Sequence, residues 1–126
     1  MVDVGGLRRR ASLVVVRHTP YGSSLGRAAL EAALAMAAFE QPVDVLFMGD
    51  GVLNLLPDQD SRSIGVKNVG KLLASMPLYE IATVYAEAAA VERYGLDLAL
   101  APLPCRALDG DGIRALMIER DHLLGF

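Results

Sequence analysis

Cys105 is the one side chain whose own chemistry is strongly nucleophilic toward sulfur and carbon electrophiles, because a thiolate attacks where a neutral hydroxyl does not. Arg106 follows it directly, and a guanidinium converging on the thiol would lower its pKa. The segment Leu103–Leu108 reads as a strand, however, and neighbours along a strand point to opposite faces, which separates thiol from guanidinium. A lone cysteine among Leu and Pro is also a common small apolar filler. Two expectations follow: a thiol-dependent sulfurtransferase acting through Cys105, or an inert packed thiol, with the surroundings favouring the second. With 1 cysteine in the chain there is no internal disulfide, no redox CxxC and no zinc pair, and a reducing cytoplasm is the expected compartment.

The other groups that bear chemistry are dispersed. His18 and His122 stand far apart and neither has a second ligand three or four residues away, so no metal site is expected from them. Asp50, Asp58 and Asp60 lie near glycines without the alternating acids and closing Glu of a calcium loop. Thr19-Pro20-Tyr21-Gly22-Ser23-Ser24 joins a strand to a helix start, where free amides and the helix dipole favour an anion. It matches neither GxGxxG nor GxxxxGK[ST], and tight strand-to-helix turns use Gly and Ser for geometry alone, so no cofactor is expected. An anion-binding module remains a third expectation.

Charge narrows the partners. A net charge of −3 and a pI near 5.3 leave no cationic surplus for a phosphate backbone or an anionic bilayer, and neither nucleic acid nor membrane is an expected partner. Arg8, Arg9 and Arg10 form the basic cluster, in a segment expected to be a flexible tail over residues 1–11. Ala11–Val16 is too short for a signal-peptide core, and no apolar run approaches the length of a membrane span. The hydrophobic fraction of 53% is high for a chain of 126 residues and hints at a subunit interface.

The elements that must position these residues follow from pattern. Ser12–Arg17 is apolar and β-branched and reads as a buried strand. Ser23 or Ser24 caps a helix over Leu25–Phe39, with Arg27 and Glu31 one turn apart on its surface. From Ala32 to Phe39 that helix has no polar face, so one side should meet a sheet and another something else. Gln41-Pro42 ends it and Val43–Met48 forms a second strand. Strand, helix, strand implies a right-handed crossover between parallel neighbours and hence an α/β layered fold.

After Val52–Leu56, the polar loop Pro57–Ser63 and a weak helix over Asn68–Met76 that Pro77 ends read as irregular and surface-facing. Ile81–Ala86 is the third strand, Glu87–Tyr94 a short helix closed by Gly95, and Leu103–Leu108 the fourth strand. Gly110–Asp121 is the last helix, in which Ile113, Leu116, Met117 and Arg120 share a face, and His122–Phe126 is a fifth strand. Residues 12–126 are expected to form one domain.

The order of motifs resembles the DsrE/DsrF-like superfamily, specifically its DsrF and TusC type of subunit. The resemblance is carried by Thr19-Pro20-Tyr21-Gly22-Ser23, Ala37-Ala38-Phe39-Glu40-Gln41, Val45-Leu46-Phe47-Met48-Gly49-Asp50-Gly51-Val52, Gln59-Asp60 and Ile64-Gly65-Val66-Lys67-Asn68, and it spans nearly all of Ser12–Phe126. It departs at Asp58, where relatives often carry Gly. It implies a three-layer α/β/α fold around a five-stranded, mainly parallel sheet. It also implies a hetero-hexamer with DsrE/TusD-like and DsrH/TusB-like partners, an assembly that would occupy the helix lacking a polar face.

In such complexes the DsrE or TusD subunit bears a persulfide on a cysteine just after its third strand. Matching through Glu92, Gly95 and Leu96 sets Glu87 at that position, and a carboxylate can neither attack sulfur nor hold it. The resemblance therefore implies a non-catalytic subunit. An acidic residue there resembles DsrF, in the oxidation of stored sulfur, more than TusC, in tRNA 2-thiouridine synthesis.

Overall fold

The computed structural model describes residues 11–19, 25–56, 69–81, 83–120 and 122–125. Five parallel strands form one sheet in the order β4-β3-β2-β1-β5: β1 Ser12–Val16, β2 Val43–Phe47, β3 Val84–Glu87, β4 Cys105–Leu108 and β5 His122–Gly125. The helices are α1 Leu25–Ala38, α2 Val69–Ser75, α3 Ala88–Tyr94 and α4 Gly110–Ile118. The expected three-layer α/β/α architecture is what the chain forms. No helix among the described residues is long and apolar enough to cross a membrane.

Two cores result from strand alternation. On one face Val14, Val16, Val45, Phe47, Val84 and Ala86 pack beneath α1, α2 and α3; on the other Leu13, Val15 and Leu46 pack beneath Ile113 and Leu116 of α4. Each fully buried large side chain, Phe47 and Leu30 among them, contributes about 1.5–3 kcal/mol by leaving water. Arg120 follows α4 and pairs with Asp44 of β2, tying that helix to the sheet. It lies beyond the helix and not within it, because α4 stops at Ile118.

Several sequence expectations need correction. Residues 69–76 are not simply surface-facing, since one side of that segment is buried. Gly49–Leu55 is a 3₁₀ helix, and Val52, Leu55, Val69, Leu73 and Met76 belong to the first core. The sequence has no long periodic run there, because a 3₁₀ turn and a seven-residue helix are too short to show one. The helix expected over Asn68–Met76 is α2, which stops at Ser75 just before Pro77; Pro77 itself sits in the first turn of a 3₁₀ segment, Met76–Tyr79, where its missing N–H costs nothing. The third strand begins at Val84, not Ile81, and ends on Glu87, which the sequence pattern assigns to a helix.

The second apolar side of α1 is met within the chain, by α2 and the Met76–Tyr79 turn. Assembly is therefore not required to explain that helix. Arg27 and Glu31 do pair, at 3.7 Å. Gly95 closes α3 with a φ of 64°, a left-handed cap that glycine adopts without strain.

Two turns at the amino-terminal end of the sheet use the same left-handed cap with a different residue. After α1, Glu40 (φ 61°) donates its N–H to the Ala37 carbonyl and Gln41 donates to Met36. After the 3₁₀ turn, Glu80 (φ 69°) donates to Pro77 and Ile81 donates to Met76. Both are Schellman-type caps with Glu at the position glycine usually takes.

Candidate functional site

Parallel sheets present their ligand-binding crevices at the carboxyl ends of the strands. In this chain that end is drawn together by the turn after β2. Gly51 approaches β1 so closely that a Cβ would lie 1.9 Å from the Val16 carbonyl oxygen, so the position admits no side chain. Met48 donates its N–H to that same Val16 oxygen at 3.0 Å, continuing the sheet into the turn. Asn54, wholly buried, donates Nδ2 to the His18 carbonyl at 2.8 Å and to the Gly51 carbonyl at 2.9 Å, holding the exit of β1 against the 3₁₀ helix.

Glu87 completes the cluster. As the last residue of β3 and the residue before α3, it projects from the strand end, and its Oε1 accepts from the Gly49 N–H at 3.0 Å. Asp50 accepts a hydrogen bond from the Tyr94 hydroxyl, joining the same turn to the end of α3. That bond, with desolvation and the nearby Asp50 charge, raises the Tyr94 phenol above its ordinary value. Glu87 is thus half-buried and bound to a backbone amide. A carboxylate so placed can fix the β2 turn, but it cannot form a sulfur–sulfur bond.

Cys105 lies at the other end of the sheet. It is the first residue of β4, in register with Val84, whereas Glu87 is three residues farther along β3, a rise of about 10 Å. Its thiol packs against the first core and borders an open depression of about 490 Å³ lined by Leu98, Ala101, Pro102, Leu103 and Pro104, with no ionised side chain in the lining. Burial pushes the thiol up to about 11. Arg106 is exposed and faces the opposite side of the strand, as alternation requires. The surroundings therefore suppress the thiolate.

The remaining sequence candidates are not brought together. His18 and His122 are both exposed and occupy opposite ends of the sheet, one after β1 and one opposite Ser12 at the start of β5. Among the described residues no group of three His, Cys, Asp or Glu side chains could hold a metal ion. Asp58, Asp60, the Arg8–Arg10 cluster and the Pro20–Ser24 part of the anion-binding turn lie outside the described residues. Sequence reasoning does not single out Asn54 and Gly51 as anchors. Their signal is nonetheless present: a single amide within the apolar run Val52-Leu53-Asn54-Leu55-Leu56, and a second glycine two residues after Gly49.

Comparison with known proteins gives a consistent set of relatives. A family model described as the DsrE/DsrF-like family matches residues 11–126. The chain is 30% identical over 112 residues to a TusC homolog of Pseudomonas aeruginosa, covering 89% of this chain and 94% of that protein. It is 31% identical over 110 residues to a TusC homolog of Vibrio parahaemolyticus, covering 87% and 93%. It is 40% identical over 80 residues to the intracellular sulfur oxidation protein DsrF of Allochromatium vinosum, covering 64% and 59%. In fold it is similar to the ychN protein of E. coli, with a TM-score of 0.77 at 19% identity over 94% of this chain and 100% of that one.

Proposed function

Since this chain belongs to the DsrE/DsrF-like family, we propose that it is an accessory subunit of a cytoplasmic sulfur-relay complex, of DsrF type and active in intracellular sulfur oxidation. It works by assembling with DsrE/TusD-like and DsrH/TusB-like homologous subunits in a hetero-hexamer and bears no sulfur itself. The observation that carries this is the pairing of Glu87 with the Gly49 amide at the end of β3. The strand end where the resemblance sets a carrier cysteine holds a carboxylate already committed to a backbone donor.

The chemistry of a relay supports the same conclusion. Transfer of a sulfane sulfur requires a thiolate that attacks the outer sulfur of a persulfide and releases the donor thiolate. At Glu87 there is no such nucleophile, and the negative carboxylate repels an incoming anionic persulfide. At Cys105 there is sulfur but little thiolate at neutral pH, because burial has raised its pKa. The role left to the chain is to present surface to homologous subunits that do own a reactive thiol. Exposed Ile118, Leu100 and Leu123 supply apolar area for such contacts.

A second pathway assignment has an observation in its favour. The TusC homologs align over most of the chain, whereas the more identical DsrF aligns over 64% of it, which favours a TusC-type role in tRNA 2-thiouridine synthesis. Deletion of the gene separates the two: loss of sulfur oxidation supports the first and loss of 2-thiouridine the second. Assembly is tested by co-expressing the chain with the DsrE-like and DsrH-like proteins of its own genome and measuring native mass. A complex containing all three is expected. A chain that elutes alone in their presence would reject the proposal.

A further inference from the structure

The amino-terminal end of the sheet contains a depression of about 240 Å³ whose lining includes Glu40, Gln41, Pro42, Tyr79, Glu80 and Ile81. It is bounded on both sides by the two left-handed caps, so that a carboxylate-bearing residue stands at each flank where a glycine would be conformationally easier. Phe39, 81% exposed, precedes Glu40 in the chain and Leu78, 83% exposed, precedes Tyr79, so exposed apolar side chains adjoin the residues of the acidic depression. No Lys or Arg is among its lining residues.

We propose that this patch is a docking site for the chain's own basic segment, Leu7-Arg8-Arg9-Arg10, which lies outside the described residues. Three observations support that occupant. The first is position: Ser12 donates its N–H to the Pro42 carbonyl at 3.0 Å, and Pro42 is itself part of the lining, so the chain enters β1 beside the depression. The second is reach. Adjacent strands are about 4.8 Å apart, whereas each extended residue spans about 3.3 Å and an arginine side chain adds several more. A segment of that length before Ala11 is therefore long enough to reach from β1 past the lead-in of β2 to Glu40 and Glu80. The third is complementarity: three consecutive guanidinium groups meet two carboxylates, and Leu7 matches the exposed apolar neighbours.

This docking site is independent of the sulfur-relay role, since it lies at the opposite end of the sheet from Glu87. The test uses trypsin under native conditions, with mass spectrometry following release of fragments ending at Arg8, Arg9 or Arg10. The comparison variant carries Glu40→Gly with Glu80→Gly, which removes both charges and also relieves both left-handed backbones. Its Tm is therefore expected to be unchanged or higher than wild type. Glu40→Gln with Glu80→Gln serves as a second variant that keeps side-chain shape.

Release is expected to be about fivefold faster in both variants than in wild type, the scale of two exposed ion pairs. Wild type should match them at about 0.5 M salt, where the screening length falls to roughly 4 Å. Equal rates in wild type and both variants at low salt would overturn the proposal. So would protection that grows with protein concentration, since that would put the segment on a second copy or another partner.

Discussion

The two ends of the sheet divide between them what a sulfur-handling site needs in one place. The carboxyl-terminal end has the architecture: a turn pressed against β1 at Gly51, a buried Asn54 holding the exit of β1, and a backbone amide at Gly49 aimed at the end of β3. It has no thiol. The amino-terminal end has the thiol of Cys105, packed among Leu and Pro and held un-ionised by burial. Under the proposed function, separation of the nucleophile from its support suits the chain to be an assembly partner and not a carrier.

The sharpest way to break this contrast is to damage the supported end directly. Gly51→Ala sets a Cβ 1.9 Å from the Val16 oxygen, a contact that only a shift of β1 or the turn can relieve. A loss of at least about 3 kcal/mol in urea unfolding is expected. Gly70→Ala in α2 meets nothing within 4 Å and should instead gain about 0.5–1 kcal/mol. A tolerated Gly51→Ala would show that the close approach does not organise this end.

Next in size is the thiol itself. With its pKa raised from an ordinary value near 9.0 to about 11, Cys105 should alkylate about 100-fold more slowly at pH 8 than a free cysteine, gaining about tenfold per pH unit until it ionises. The same shift makes the unfolded thiol ionise first, so its effect on stability is absent below pH 9 and destabilising as pH rises from 9.0 toward 11. Moving the thiol to the other end, as Glu87→Cys in a Cys105→Ser background, should restore fast labelling, because the Gly49 amide then faces a thiolate. Equal labelling rates at the two positions would erase the contrast.

Glu87→Ala leaves the Gly49 N–H without its acceptor and should cost about 1–2 kcal/mol, with Glu87→Gln recovering part of it. No change in the unfolding midpoint would show that the bond does not bind the turn to β3. The smallest effect is at the rim of the same cluster. Asp50→Asn removes the carboxylate charge and leaves only a weaker amide acceptor for the Tyr94 hydroxyl, so its spectroscopic titration should move down toward 10.0.

Much of the scaffold is legible in the sequence because it is written in uninterrupted apolar runs. Leu13-Val14-Val15-Val16 and Val45-Leu46-Phe47 are each short, continuous and bounded by turn residues, so each reads as a buried strand. What stays hidden is built from short turns. The 3₁₀ helix after β2 and the two glutamate caps have no period long enough to detect, and a left-handed Glu is invisible in a sequence where glycine is the expected signal. At the candidate site, family resemblance locates Glu87, but its partner Gly49 stands 38 residues earlier and only the folded sheet brings them together.

That this chain assembles without bearing sulfur is tested most directly by intact-mass measurement of each subunit after the reconstituted complex has been incubated with a sulfane-sulfur donor. The mass of this chain is predicted to stay unchanged while a partner subunit gains sulfur. A labile sulfur atom on this chain, lost in Cys105→Ser, would contradict the account.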